Sequence, residues 1–372
     1  MPVASCTNED IVANPQGALL SGIAHGDMER VRRAVAAGAD INAPDKFGRT
    51  PLHEASFFPS LKSLDTLMEL GADTCTRREP SGIHAVDAWG NTPLLIAATS
   101  AGLSPELLER YVLHWGADIN ARNKNRETPL LRAFSRSEFT TQLGLAFMRL
   151  GADLSARDRE GHCFISMCLD DGVNLPVGME MLVAALQRFG GKILPPPWRF
   201  LKFMEKAPYL ERPLRGTFCL LYIAALSASS PGILEKTSWK TRKGAVSLMD
   251  AAGRVPFESL CVLFEHLGGE VVMEPVLAVP LFRELLRHKV RYKDRDVRWE
   301  VPAPSLPGLI SALAGVFEVD PALAAESMVL WLKNTPPEVF MQVKGADELM
   351  RLAAQYAGEC EKVRSPDVSF GF

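Results

Sequence analysis

The chain has 372 residues, 47% of them hydrophobic, with 41 Lys and Arg against 44 Asp and Glu and a formal net charge of −3. That length suggests two or more domains with ample material for a core, and the near-neutral balance gives no global electrostatic reason to bind nucleic acid or an anionic membrane. The seven scattered cysteines read as reduced thiols, Met1 to Asp10 lacks the basic-then-apolar order of a secretory signal, and no apolar run approaches the roughly 18 residues that span a bilayer. A cytoplasmic location is therefore expected, which leaves room for delivery to another cell by a route that reads other signals.

After a tail at residues 1–11, Ala18-Leu19-Leu20, the turn His25-Gly26-Asp27 and Val31 with Val35 predict a first pair of helices closing at Gly38-Ala39-Asp40. Thr50-Pro51-Leu52-His53-Glu54-Ala55 opens the next unit, which closes at Gly71-Ala72-Asp73. Thr92-Pro93-Leu94-Leu95-Ile96-Ala97 and Thr128-Pro129-Leu130-Leu131-Arg132-Ala133 open two more, closing at Gly116-Ala117-Asp118 and Gly151-Ala152-Asp153. Thr-Pro suits a helix start, because Pro lacks an N–H where none is needed and the Thr hydroxyl accepts from exposed backbone donors. Gly suits the helix end, where a left-handed residue is cheapest. A weaker fifth unit follows, with Asp158-Arg159-Glu160-Gly161, then Cys163-Phe164-Ile165 in place of Thr-Pro-Leu, and a closing helix expected over Leu175 to Phe189.

The closing glycines lie 33, 45 and 35 residues apart. Splitting each interval puts nine extra residues of the long one in a loop within Thr76 to Val86 and three in the turn between helices near Ala101 to Pro105. Insertions confined to connections leave stacked helices in phase, as a solenoid requires. The phrases and their order resemble the ankyrin repeat. The resemblance implies an all-α fold: a solenoid of five helix-turn-helix units with projecting hairpin loops over residues 12–191, the first and last degenerate, followed by a helical region at 192–372.

It also implies where a partner protein binds, namely the loop tips and the concave face of the first helices. The matching tip residues are Lys46, Phe47 and Arg49, then Trp89 and Asn91 beside Ala88, then Lys124, Asn125 and Glu127, then Arg159, Glu160 and His162. On the concave face they include Phe57, Phe58 and Arg136, with Thr99 and Ser135. Phe47, Phe57, Phe58 and Trp89 fall on adjacent units, and aromatics and Arg dominate interface energetics. The alternative is local packing, with Phe57-Phe58-Pro59 filling a turn and Trp89 covering the loop insertion Arg77 to His84. His53 fills the slot in which the family's imidazole bonds backbone groups between repeats, so a structural role is expected for it.

Past residue 191, Leu194-Pro195-Pro196-Pro197-Trp198 breaks the helical pattern. Helices are then expected over Pro213 to Ser227, Pro256 to Leu267, Pro275 to His288, Ser305 to Phe317, Pro321 to Leu332 and Lys344 to Cys360. Asp250-Ala251-Ala252-Gly253-Arg254-Val255-Pro256-Phe257 echoes the opening phrase, so this half holds either degenerate repeats near 250–296 or a separate helical module. The basic stretch Arg283 to Arg298 reads as a solvated helix end and loop, with a nucleic-acid or acidic-partner contact as the functional alternative. No P-loop, Gly-x-Ser-x-Gly elbow or His-Glu-x-x-His occurs, His162, Cys163 and Cys168 lack metal-site spacing, and Asp170-Asp171 caps a turn.

The expectation is a monomeric, non-catalytic adaptor or scaffold that binds a protein, without cofactor, metal, nucleic acid or membrane. An effector, an immunity protein or a regulatory partner would all fit. The rival class is an enzyme acting through residues 192–372, with the repeats selecting its protein substrate.

Overall fold

Helix caps set the architecture of the first half of the chain. In the computed structural model, which describes residues 8–72, 82–136, 138–168, 175–194, 212–229, 238–241, 244–247, 262–265, 267, 271–291, 305–332 and 341–364, the chain divides into two units, Met1–Asn174 and Leu175–Phe372. The first unit contains α1 (Asn8–Ala13), α2 (Pro15–Ala24), α3 (Met28–Ala36), α4 (Pro51–Phe57), α5 (Leu61–Glu69), α6 (Pro93–Ala97), α7 (Pro105–Glu109), α8 (Pro129–Phe134), α9 (Thr141–Arg149) and α10 (Phe164–Cys168). Thr92 and Thr128 Oγ1 accept from the N–H groups of Leu95 and Leu131, and Asp27, Ser60, Ser104 and Thr140 cap the second helix of each pair in the same way. In the opening pair the cap is Asn14, whose Oδ1 accepts from Gly17 N–H at 2.9 Å, so the cap stands three residues before Gly17, the position one 33-residue period ahead of Thr50.

The first helices α2, α4, α6, α8 and α10 contact one another in succession. Their apolar faces make the core, with Leu19, Leu52, Leu94, Leu130 and Phe164 almost entirely removed from water. Each such side chain contributes roughly 1.5–3 kcal/mol relative to exposure. On the second helices, side-chain ion pairs step from unit to unit: Arg32 to Glu69 at 3.0 Å, Asp65 to Arg110 at 3.2 Å, and Glu109 to Arg149 at 3.1 Å. All are substantially exposed, so each is worth about 0–1 kcal/mol.

The helix ends close as their glycines suggest. Gly151, with φ 90°, lets Ala152 N–H reach back to the Phe147 carbonyl. The third unit departs from the sequence expectation in one respect. From cap to closing glycine the second helix takes 11 residues in its neighbours, as from Ser60 to Gly71, but 12 from Ser104 to Gly116. The extra residue is taken up by a wide turn at Arg110–His114, in which Trp115 N–H bonds the Arg110 carbonyl five residues back. Only two of the three extra residues assigned to the turn near Ala101 to Pro105 are therefore in it. A helix can absorb one residue by widening a turn, which a count between motifs does not reveal.

The second unit has α11 (Leu175–Phe189), α12 (Arg212–Ser229), α13 (Pro275–Arg291), α14 (Leu306–Val319), α15 (Pro321–Leu332) and α16 (Ala346–Arg364), close to the expected helices apart from that over Pro256 to Leu267, most of which lies outside the described residues. Helix α12 packs on α13, α13 on α14, and α14 on α15 and α16, around Phe218, Tyr222, Leu281, Phe282, Leu309 and Leu313. The helix expected over Leu175 to Phe189 is present over those residues and belongs to this unit. An antiparallel hairpin, β1 (Ser238–Thr241) with β2 (Gly244–Ser247), pairs Trp239 with Val246. No helix among the described residues is long and apolar enough to cross a membrane. Residues 77–81 of the insertion, Asp170 to Gly172, Pro195 to Trp198, the echo Asp250 to Phe257 and Tyr292 to Arg298 lie outside the described residues.

Candidate functional site

Four loops project between the helix pairs, and each is closed by its own first residue. Asp45 Oδ1 accepts from the N–H groups of Phe47 and Arg49, Asp87 Oδ1 from those of Trp89 and Asn91, and Asn123 Oδ1 from those of Asn125 and Glu127. Asp158 Oδ1 accepts from His162 N–H. The loops are then tied to one another through backbone. Ala88 N–H donates to the Phe47 carbonyl at 2.7 Å, Lys124 N–H to that of Trp89 at 2.9 Å, and Arg159 N–H to that of Asn125 at 2.9 Å. The fourth residue of each loop is left-handed: Gly48, Gly90, Arg126 with φ 62°, and Gly161.

The fifth residue bonds back to the first. Arg49 Nε and Nη2 donate to Asp45 Oδ2 at 2.9 and 2.8 Å, and Asn91 Nδ2 donates to Asp87 Oδ2 at 2.9 Å. In the third loop the polarity is reversed, with Asn123 Nδ2 donating to Glu127 Oε2 at 2.6 Å. His162 Nδ1 lies 3.0 Å from Asp158 Oδ2. Burial alone would raise the Asp45 carboxyl, yet the hydrogen bonds from Arg49 and Phe47 and the nearby guanidinium hold it below its ordinary value.

This geometry corrects part of the sequence-based site. Asn91 is 9% exposed, and its Oδ1 also accepts from Asn123 Nδ2 and Arg132 Nη1, so it knits loops together and presents nothing to a partner. Arg49, Glu127 and His162 likewise close their own loops, although each stays partly exposed. Arg136 lies back against the protein with its side chain 10% exposed and Nη2 on Glu138, and so does not line an open concave face. Its long apolar stem favours that burial.

What projects are the second and third residues of each loop: Lys46 and Phe47, Ala88 and Trp89, Lys124 and Asn125, Arg159 and Glu160. Phe47 and Trp89, on adjacent loops, are in ring contact with centroids 5.7 Å apart and remain 38% and 54% exposed. Lys46 Nζ lies 4.9 Å from the Phe47 centroid, and the Arg49 guanidinium lies 5.5 Å from Phe47 and 5.9 Å from Phe57. Lys46, Phe47, Arg49, Phe57 and Trp89 thus form one aromatic and cationic cluster. Phe58, 86% exposed, makes no ring contact among the described residues.

His53 underlies this cluster. It is fully buried, its Nδ1 accepts from Thr50 N–H at 3.1 Å, and its Nε2 donates to the Asn91 carbonyl at 3.0 Å. Burial pushes its pKa down, against the opposing pull of the Asn91 carbonyl and of Asp87, which fixes it as a neutral imidazole joining two units. Tyr111 and Ser56 share a second buried bond between units, at 2.7 Å. Cys163 and Cys168 are buried, and burial holds the Cys168 thiol protonated.

A family model of ankyrin repeats in many copies matches residues 19–60, and one of the single ankyrin repeat matches residues 89–124. The chain is 28% identical over 174 residues, 46% of its length, to transient receptor potential cation channel subfamily A member 1 of Drosophila melanogaster. It is 32% identical over 111 residues, 30% of its length, to protein phosphatase 1 regulatory subunit 27 of Mus musculus, and 27% identical over 96 residues, 25% of its length, to ankyrin repeat and SOCS box protein 2 of Homo sapiens. These matches span 14%, 64% and 15% of the relatives' own lengths.

Proposed function

We propose that this chain, whose matches to ankyrin-repeat models over residues 19–60 and 89–124 support a role in protein–protein interaction, is a non-catalytic adaptor binding its partner at the tips of the first two loops. The observation that carries this reading is the exposed Phe47–Trp89 pair, extended through Arg49 to Phe57. Two aromatic rings at this exposure cost free energy in water that a partner's apolar surface recovers. The loops bearing them are fixed by backbone and side-chain bonds, so little conformational entropy is lost on binding. The second unit then offers a separate surface for a further contact.

Affinity capture with mass spectrometry tests this, comparing the intact chain with a Phe47→Ala, Phe57→Ala, Trp89→Ala variant shown by circular dichroism to stay folded. A protein retained by the intact chain and lost by the variant supports the site. Retention by both would make the aromatic cluster structural and move the search to residues 192–372.

A further inference from the structure

We propose that the segment recognised at these loop tips is acidic: a stretch of a partner protein in which an apolar side chain is flanked by carboxylates. The inference rests on the loop-tip reading and adds the chemistry of the occupant. In the first three loops the acids turn inward. Asp45 and Asp87 accept backbone N–H groups of their own loops, Glu127 accepts from Asn123, and Glu54 lies 3.8 Å from Arg49.

The cations point outward. Lys46 and Arg126 are exposed and have no carboxylate partner among the described residues. Lys124 is exposed with Nζ on the Ala88 carbonyl at 2.6 Å, a contact that orients its charge without neutralising it. A chain with a net charge of −3 therefore surrounds its exposed aromatic pair with uncompensated positive charge. Carboxylates on the partner compensate Lys46 and Lys124 while its apolar side chain covers Phe47 and Trp89. A basic segment would be repelled there. A nucleic acid is the other anion to consider, but these loops present one ring pair, Phe47 and Trp89, rather than the series of stacking rings along a positive groove that tracks a single strand.

The test is selection of a phage-displayed random peptide library on the immobilised full chain at low salt. A selected peptide and its copy with Asn for Asp and Gln for Glu are then titrated by fluorescence polarisation. The proteins compared are the natural chain, Lys46→Glu, Lys124→Glu and the double variant Phe47→Ala, Trp89→Ala, each folded by circular dichroism. The expected peptides carry Asp or Glu around an aliphatic or aromatic residue. Neutralising those acids weakens binding about tenfold or more, each charge reversal weakens it about fivefold, and the double variant removes it. Acid-free peptides that still depend on Phe47 and Trp89 would overturn the acidic partner and leave the loop-tip site intact. Peptides indifferent to the double variant would overturn the site itself. Displacement by single-stranded oligodeoxythymidine would reassign the surface to nucleic acid, and failure to select any peptide would overturn a linear segment as the occupant.

Discussion

Replacing His53 with Leu, the residue at the equivalent positions Leu95 and Leu131, isolates the contribution of one buried imidazole. The side chain is fully buried, so its loss strands the Thr50 N–H, 3.1 Å from Nδ1, and removes one of the two donors to the Asn91 carbonyl, which lies 3.0 Å from Nε2 and still accepts from Asp87 N–H. Each buried polar group left unpaired costs about 1–3 kcal/mol. Leu recovers part of this through its own apolar burial, and a net loss of about 1–3 kcal/mol at neutral pH is expected. The pH dependence gives a sharper criterion. Burial lowers the folded-state pKa below the ordinary 6.5, so the unfolded chain takes up a proton first as the pH falls. The imidazole's contribution is therefore complete above pH 6.5 and declines as the pH drops from there towards the folded-state value. Urea denaturation followed by circular dichroism, at intervals from about pH 7.5 to about pH 5, should show the natural chain losing its advantage over His53→Leu. Every other titratable group is common to both proteins. A gap that stays constant or widens on acidification would refute the neutral, backbone-bonded imidazole.

Other substitutions address separate features. Arg126 holds a left-handed backbone where the other loops have Gly, so Arg126→Gly should stabilise by about 0.5–1 kcal/mol, seen as a higher urea midpoint. Tyr111→Phe removes the hydroxyl bonded to Ser56 and should cost about 1–2 kcal/mol in the same assay. In the second unit, a Cβ at Gly308 would lie 2.8 Å from the Leu267 carbonyl oxygen and 3.1 Å from the Phe264 ring. Gly308→Ala should therefore cost about 1–3 kcal/mol, read as a lower thermal midpoint.

The repeats were legible because their marks are backbone requirements. Thr-Pro opens a helix and Gly ends one wherever they stand in the array, and α4, α6 and α8 begin at Pro51, Pro93 and Pro129 as those marks demand. The helices of the second unit were likewise visible from Pro, Ser and Asp at their starts, whereas strands of four residues, such as Ser238–Thr241, are too short to show a period of two. The exposure of Phe47 and Trp89 followed from their loop positions. The engagement of Arg49, Asn91, Glu127 and His162 does not follow from a loop position alone. Each stands four residues after Asp45, Asp87, Asn123 or Asp158, and that recurring polar pair was the signal of loop closure. The network joining Asn91 to Asn123 and Arg132 spans two loops and a helix, which no local pattern encodes.

The wide turn at Arg110–His114 bears on how such a chain can change over generations. One residue added to a regular helix swings every later side chain by about 100° and would carry apolar groups round to water. Here the disturbance stops within the unit where it arises. Beyond it the Lys124 N–H still reaches the Trp89 carbonyl and Arg149 still meets Glu109, as if no residue had been gained. Leu113 and His114, carried outward on the widened turn, are open to variation without altering the spacing of the loops on the other side of the helix pair. A difference of one residue in length is thus expressed as a local change of surface, with the bonds between neighbouring loops kept.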